Sequence, residues 1–373
     1  MSRREVRILT ALLGILIVAG LFWQWVGKPA PEERSPGEVT LKGTESLAAR
    51  MQSLPAALSA ADDFDRRAEV LTRTARELEL VTKDEAVSIL RAMLDRGVDA
   101  ATGLAFKIGP GGNLIGSPTL RVWLLDLLGR LDPAAAADYA ATIYARSRSA
   151  DEWAIALRND WRVAASQGKI EGPRARALEL LHHEAWARDP SAGFLEAFDL
   201  CVASLAWEAL PRFETWLAPG QPKALRTGAW IALDRLAMEG PTDFLPALST
   251  HERWLATQPA MRAGLMARAN VATPVERTAV ETYLRRGDLA PAEGKRFLEL
   301  FPNVSATVSY NLVTTARTPT PQFAALMDHA ALTAVREWRG DVRFARWSTD
   351  LATAEERLRE SVASAVRGGY LPP

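Results

Sequence analysis

Phe64-Asp-Arg-Arg-Ala-Glu-Val-Leu-Thr-Arg-Thr-Ala-Arg-Glu-Leu78 decides the fold class. Phe64, Ala68, Leu71, Ala75 and Leu78 recur every three or four residues, the spacing that gathers side chains on one face of an α-helix. Most residues between them are charged and suit the opposite, solvated face. The next segment repeats the pattern with Ala86, Ile89, Leu90, Met93 and Leu94. No alternating strand pattern separates the two.

Outward from this pair, helix starts are well marked. Thr82 with Glu85, Ser149 with Glu152, Thr273 with Glu276 and Thr353 with Glu356 have capping-box spacing. Ser117-Pro118, Asp132-Pro133, Asp189-Pro190, Thr273-Pro274 and Thr320-Pro321 place a capping side chain before a proline suited to the first helical position. Gly97 and Gly240 read as helix stops. The predicted helices are short, numerous and closely spaced. Residues 44–373 are therefore expected to be all-α, an α-solenoid-like array of antiparallel helix pairs. An echo supports repetition: Trp123–Pro133 resembles Leu180–Pro190, a period of about 57 residues. The architecture is similar to that of TPR, HEAT and armadillo-like helical-repeat proteins. The TPR order of Trp, Leu-Gly, Tyr and Pro does not occur, so the resemblance extends to architecture alone.

Two stretches break the pattern. Residues 105–117 are glycine-rich and too long for a tight helix–helix turn. Residues 301–315 are rich in β-branched side chains and read either as an extended loop or as a helix imposed by packing.

The N-terminus differs in kind. No charge occurs from Ile8 to Gly27. The apolar run Ile8–Val26, at about 1.5 Å per residue, matches a hydrocarbon core of roughly 30 Å. Arg3, Arg4 and Arg7 precede it, opposed only by Glu5, whereas Lys28 and Arg34 beyond it are balanced by Glu32 and Glu33. This asymmetry keeps residues 1–7 in the cytoplasm and exports the rest. Phe22, Trp23 and Trp25 suit the exit interface. Cleavage after Ala30 is disfavoured by Lys28 in the third position before the cut and by Pro31 just after it, so 8–26 reads as an uncleaved signal anchor. Pro29, Pro31 and Pro36 make 27–43 a tether, with the first helix expected near Thr44. The expected location is a bacterial inner membrane, single-pass, with lipid contacting residues 8–26 and a periplasmic C-terminal domain.

Lys and Arg total 45, as do Asp and Glu. Such balance argues against nucleic acid as the main partner, since a phosphate footprint needs a basic excess. The chain has a single cysteine, Cys201, so no internal disulfide forms; its apolar surroundings suggest a small buried hydrophobe.

Chemical motifs fail one by one. Gly111 and Gly116 have P-loop spacing before Ser117, but the lysine is missing. Gly109, Gly111 and Leu114 fail the dinucleotide spacing. His183-Glu184 and His251-Glu252 lack the second histidine of a zinc-protease helix, and His182 and His329 are isolated. Glu45-Ser46 and Met51-Gln52 superficially match pieces of a lytic transglycosylase motif, without its glycines or spacing. No Gly-x-Ser-x-Gly elbow occurs. Asn303-Val304-Ser305 and Arg339-Gly340-Asp341 are short enough to arise by chance. No catalytic residue, metal ligand or cofactor is assigned.

Arg336-Glu-Trp-Arg-Gly-Asp-Val-Arg-Phe-Ala-Arg-Trp347 interleaves arginines with aromatics. Arg336, Trp338, Arg343, Phe344, Arg346 and Trp347 are the candidate partner-binding residues, because such side chains concentrate at interface hot spots. Docking there requires Trp338, Arg343, Arg346 and Trp347 to be at least partly exposed and contiguous; two fully buried tryptophans would make the segment core. Trp123, Trp153, Trp161, Trp186, Trp207, Trp216, Trp230 and Trp254 fall on predicted helices and are expected to pack between them. The expected function is a membrane-anchored scaffold or accessory subunit that binds protein. The alternative is an envelope enzyme acting on cell-wall glycan, which needs a pocket holding two carboxylates about 5–10 Å apart.

Overall fold

A computed structural model describes residues 46–250, 254–306, 311–314 and 318–372. The anchor 8–26, the tether 27–43, Thr44 and His251 lie outside the described residues. Among the described residues no helix is long and apolar enough to cross a membrane.

Eighteen α-helices occur among the described residues. The first three are α1 (Leu47–Ala60), α2 (Phe64–Glu79) and α3 (Lys83–Asp95). After a short hairpin come α4 (Leu120–Leu131), α5 (Pro133–Arg146), α6 (Ala150–Ser166), α7 (Glu171–Leu181) and α8 (Glu184–Arg188). The middle holds α9 (Ala192–Glu196), α10 (Phe198–Ala203), α11 (Leu210–Leu217), α12 (Lys223–Glu239) and α13 (Pro241–Thr250). The last five are α14 (Pro259–Met266), α15 (Pro274–Arg285), α16 (Pro291–Leu300), α17 (Pro321–Gly340) and α18 (Ser348–Arg367). Neighbouring helices pack antiparallel, and contacts run mostly between elements close in the chain, as in a helical-repeat array.

The apolar stripes are the buried faces. Leu71 and Leu78 of α2 and Ala86, Leu90, Met93 and Leu94 of α3 are buried. Phe64 departs from the expectation: it lies exposed on the first turn of α2, against Gly103. Thr82, Asp132, Ser149 and Thr320 cap α3, α5, α6 and α17 by accepting backbone N–H groups. Other predicted caps move. Thr119 rather than Ser117 caps α4, and Ser191 rather than Asp189 caps α9. Thr273 precedes α15 without accepting a backbone N–H, and Thr353 lies inside α18, its hydroxyl on Thr349 O.

Ion pairs tie successive layers. Arg121–Glu152, Asp126–Arg158, Arg262–Glu293, Asp234–Arg268 and Asp199–Arg235 join partners 31, 32, 31, 34 and 36 residues apart. That interval is the length of a two-helix unit. The 57-residue echo does not mark it: Asp132 directly caps α5, whereas Asp189-Pro190 sits in the turn between α8 and α9.

The two irregular stretches meet. β1 (Lys107–Ile108) and β2 (Leu114–Gly116) form an antiparallel hairpin around a 3₁₀ turn at Pro110–Gly112. Residues 301–306 and 311–314 are non-helical, the extended-loop alternative. Asn303 N donates to Ala267 O at 2.7 Å, and Arg268 Nη1 donates to Ser305 O at 2.7 Å. Residues 311–314 then form a strap against the hairpin and α10. Leu312 is fully buried, and Gly112, at φ +72°, faces its carbonyl so closely that a Cβ would sit 2.0 Å from the oxygen.

Candidate functional site

The local sequence fixes α9 and α10 tightly. Ser191 Oγ and Gly193 N donate to Asp151 Oδ1 of α6 at 2.6 and 2.9 Å. A side chain at Gly193 would collide with that aspartate, so glycine permits the close approach. Beneath, Phe198 stacks on Trp216 at 5.2 Å and meets Phe194 and Phe213 edge-on or tilted. These rings hold α9–α10 as one wall of a cavity of about 670 Å³. The facing wall is α12, through Ala224, Thr227, Gly228, Ile231 and Ala232. Leu195, Phe198 and Val202 complete the apolar lining; Glu196, Asp199, Lys223, Arg235 and Asn311 supply the polar groups.

Asp199 is buried and fully engaged. Its Oδ1 accepts from Arg235 Nη1 at 2.7 Å and from Thr314 Oγ1, and its Oδ2 accepts from Val313 N at 2.7 Å and Thr314 N at 3.0 Å. Arg235 Nη2 donates to Thr314 Oγ1. These bonds reach 114, 115 and 79 residues along the chain, against 63 for Trp347 Nε1 to Leu284 O. On the other side of the strap, Val313 and Thr314 line a second cavity of about 630 Å³ with Trp161, Leu205 and Met238; Val202 borders both cavities.

Glu196 is the opposite case. It is half-buried and makes no hydrogen bond or ion pair with any described residue. Burial, reinforced by the negative charge of Asp199 and opposed by Arg235, pushes its carboxyl up to about 7. Cys201, fully buried behind this wall, is pushed up to about 12 by burial and is inert packing, in line with its apolar context.

Neither Glu196 nor Asp199 stood out in the sequence. The available signal was two acids, Glu196 and Asp199, inside the otherwise apolar run 192–203. The arginine–aromatic segment does not form the expected patch. Trp338, Phe344 and Trp347 are 2, 1 and 3% exposed. Trp338 continues the buried stripe of Ala331, Ala334 and Val335 on α17. The 3₁₀ turn at Val342–Trp347, with three residues per turn, then carries Phe344 and Trp347 to the same inner side. Trp338 Nε1 donates to Glu281 and Trp347 Nε1 to Leu284 O, while Gly294 leaves room for the Trp347 ring. The arginines stay outside but are occupied. Arg336 and Arg339 share Glu355, Arg343 pairs with Asp341, and Arg346 donates to Leu289 O over the Trp347 ring. The condition for docking at this segment is therefore not met.

His182 and His183 pack locally. His182 Nδ1 contacts Leu178 O, and His183 stacks on Trp186 at 3.7 Å. No group of three or more His, Cys, Asp or Glu side chains suited to a metal occurs among the described residues. Trp123, Trp153 and Trp216 are buried, and Trp161, Trp186, Trp207, Trp230 and Trp254 pack partly buried on the core. No family model, curated protein or solved structure matches the chain, so the site stands on its geometry.

Proposed function

We propose that this chain is a membrane-anchored helical scaffold that holds a partner protein on the exported side of a bacterial inner membrane, with docking in the cavity between α9–α10 and α12. The apolar run Ile8–Val26 and the arginines before it support the anchor and its orientation. One observation carries the docking: an open, mainly apolar cavity of about 670 Å³, bordered at Asn311 by the chain's own non-helical strap. Covering such walls removes apolar surface from water, worth roughly 25 cal/mol per Å². The array accommodates non-helical chain here, because Asp199 takes up two successive backbone N–H groups.

Glu196 and Asp199 share the cavity, the feature that favours the glycan-enzyme alternative. Asp199 is poorly suited to such chemistry. A carboxylate offers about four lone-pair sites, and four donors fill them. None remains to activate water or attack a sugar carbon.

A photo-reactive residue at Thr227, within the full-length chain in its membrane, tests the reading. A discrete adduct is expected there and not with the probe at Leu80, which is 85% exposed and away from the cavity. A reporter that fluoresces only in the cytoplasm, fused after Pro373, is expected to stay dark. A bright fusion overturns the orientation; no adduct at Thr227, or equal labelling at Leu80, overturns docking at the cavity.

A further inference from the structure

We propose that the cavity receives a basic side chain, a lysine ammonium or its equivalent, carried on an apolar segment of the partner, with Glu196 as its counter-ion. This rests on the cavity being the docking site. Glu196 is the one carboxyl lining the cavity that no described residue satisfies. A carboxyl in such a wall is stable either protonated or ionised against a cation.

The surrounding charges do not supply that cation. Arg235 on α12 is committed to Asp199 and Thr314. Lys223, at the start of α12, is exposed and forms no ion pair with Glu196. Asp151 of α6 is held by Ser191 and Gly193 at the far end of α9. Once Glu196 ionises, Arg235 is already taken up by Asp199 and Lys223 stays exposed at the start of α12, so the Glu196 carboxylate keeps its charge without a partner inside the cavity. An incoming carboxylate or phosphate would meet that charge; an ammonium would neutralise it. The walls suit the rest of the ligand. Leu195, Phe198, Val202 and Ile231 match the methylene stem of a lysine and apolar neighbours on either side of it.

The experiment uses the full-length chain in lipid nanodiscs, with ¹³C-labelled isoleucine methyl groups and the Ile231 signal as reporter. The probes are acetyl-Leu-Lys-Leu-amide and its neutral counterpart with norleucine in the centre. At pH 8 the lysine peptide is expected to bind at least tenfold tighter. At pH 6, below the value of about 7 at which Glu196 takes up a proton, that preference is expected to fall about tenfold. Glu196→Gln should abolish the preference while leaving norleucine-peptide binding in place. The pH comparison on the unmodified chain decides the matter even if the variant folds poorly. Equal binding of both peptides at pH 8, or a preference that survives in Glu196→Gln, overturns the role of Glu196 but leaves the docking site standing. No response of Ile231 to either peptide overturns both.

Discussion

Two aspartate–arginine pairs share a plan and differ in what surrounds them. Asp126 of α4 pairs with Arg158 of α6 at 2.5 Å and accepts Leu114 N of the hairpin at 2.9 Å. Asp199 of α10 pairs with Arg235 of α12 at 2.7 Å and accepts Val313 N and Thr314 N of the strap. Each thus joins two helices and pins a non-helical segment. Around Arg158 the polar groups are matched: its donors also reach Gly112 O and Asn159 Oδ1, and Asn159 Nδ2 reaches Leu125 O. Beside Asp199, Glu196 is left unmatched on a cavity wall. A buried ion pair alone marks a structural tie. The unmet carboxyl next to one distinguishes a candidate site.

The largest effect expected from this comparison is at the matched pair. Arg158 is 0% and Asp126 1% exposed, so Arg158→Met leaves the buried acid with only Leu114 N and the longer Arg130 contact at 3.3 Å, and Gly112 O without a donor. A loss of about 3–5 kcal/mol is expected in equilibrium denaturation followed by helix circular dichroism. Arg235→Met should cost less, about 2 kcal/mol, because Asp199 keeps three other donors. Equal losses would mean that the two pairs are not different in kind.

Gly112 couples the two regions, since its carbonyl meets Arg158 and its Cα faces Leu312 of the strap. Gly111 and Gly112 both have positive φ, at 66° and 72°. Alanine is strained at either position, but only at Gly112 does the new Cβ meet backbone, 2.0 Å from Leu312 O. Gly112→Ala should therefore destabilise by about 3 kcal/mol more than Gly111→Ala, the upper end of overpacking costs. It should also speed amide exchange at Val313 and Thr314. Unchanged exchange there would separate the hairpin from the strap.

Much of the helical array was legible from local rules. The three-to-four spacing located α2 and α3, and Asp132, Ser149 and Thr320 cap where their sequence context placed them. Thr353 failed because a cap signature inside an amphipathic run cannot stop a helix whose buried stripe, Leu351, Ala354 and Leu358, passes through it. The aromatic patch failed for a related reason: composition gives side-chain type, while the turn at 342–347 decides which side each ring occupies. The strap was illegible because its hydrogen-bond partners Arg235 and Asp199 lie 79 to 115 residues away, beyond any periodic signal. Glu196 followed it into obscurity, since its significance depends on Asp199 already being taken by the strap and Arg235.

The smallest effect is also the most specific to the unmatched side. The ordinary value for a glutamate is 4.5, and Glu196 is raised to about 7 by burial. Between those values the folded chain binds more protons at this group than the unfolded chain, so stability falls as pH rises through the window. Below pH 4.5 the carboxyl is protonated in both states and contributes no difference; above about 7 the loss is complete and constant. Partial solvent contact limits it to on the order of 1–2 kcal/mol. Glu196→Gln removes the titrating group. Its stability should match the unmodified chain near pH 4 and exceed it at pH 8 by that amount, in denaturation curves measured at both values. Asp126 and Asp199 each already face an arginine. A bound lysine peptide should supply Glu196 with the same kind of partner and reverse the advantage, making the unmodified chain the more stable of the two at pH 8. If Glu196→Gln keeps its lead with saturating peptide present, the ammonium does not reach the carboxyl. Glu196 is then an uncompensated acid on an apolar wall, and the cavity selects its partner by shape alone.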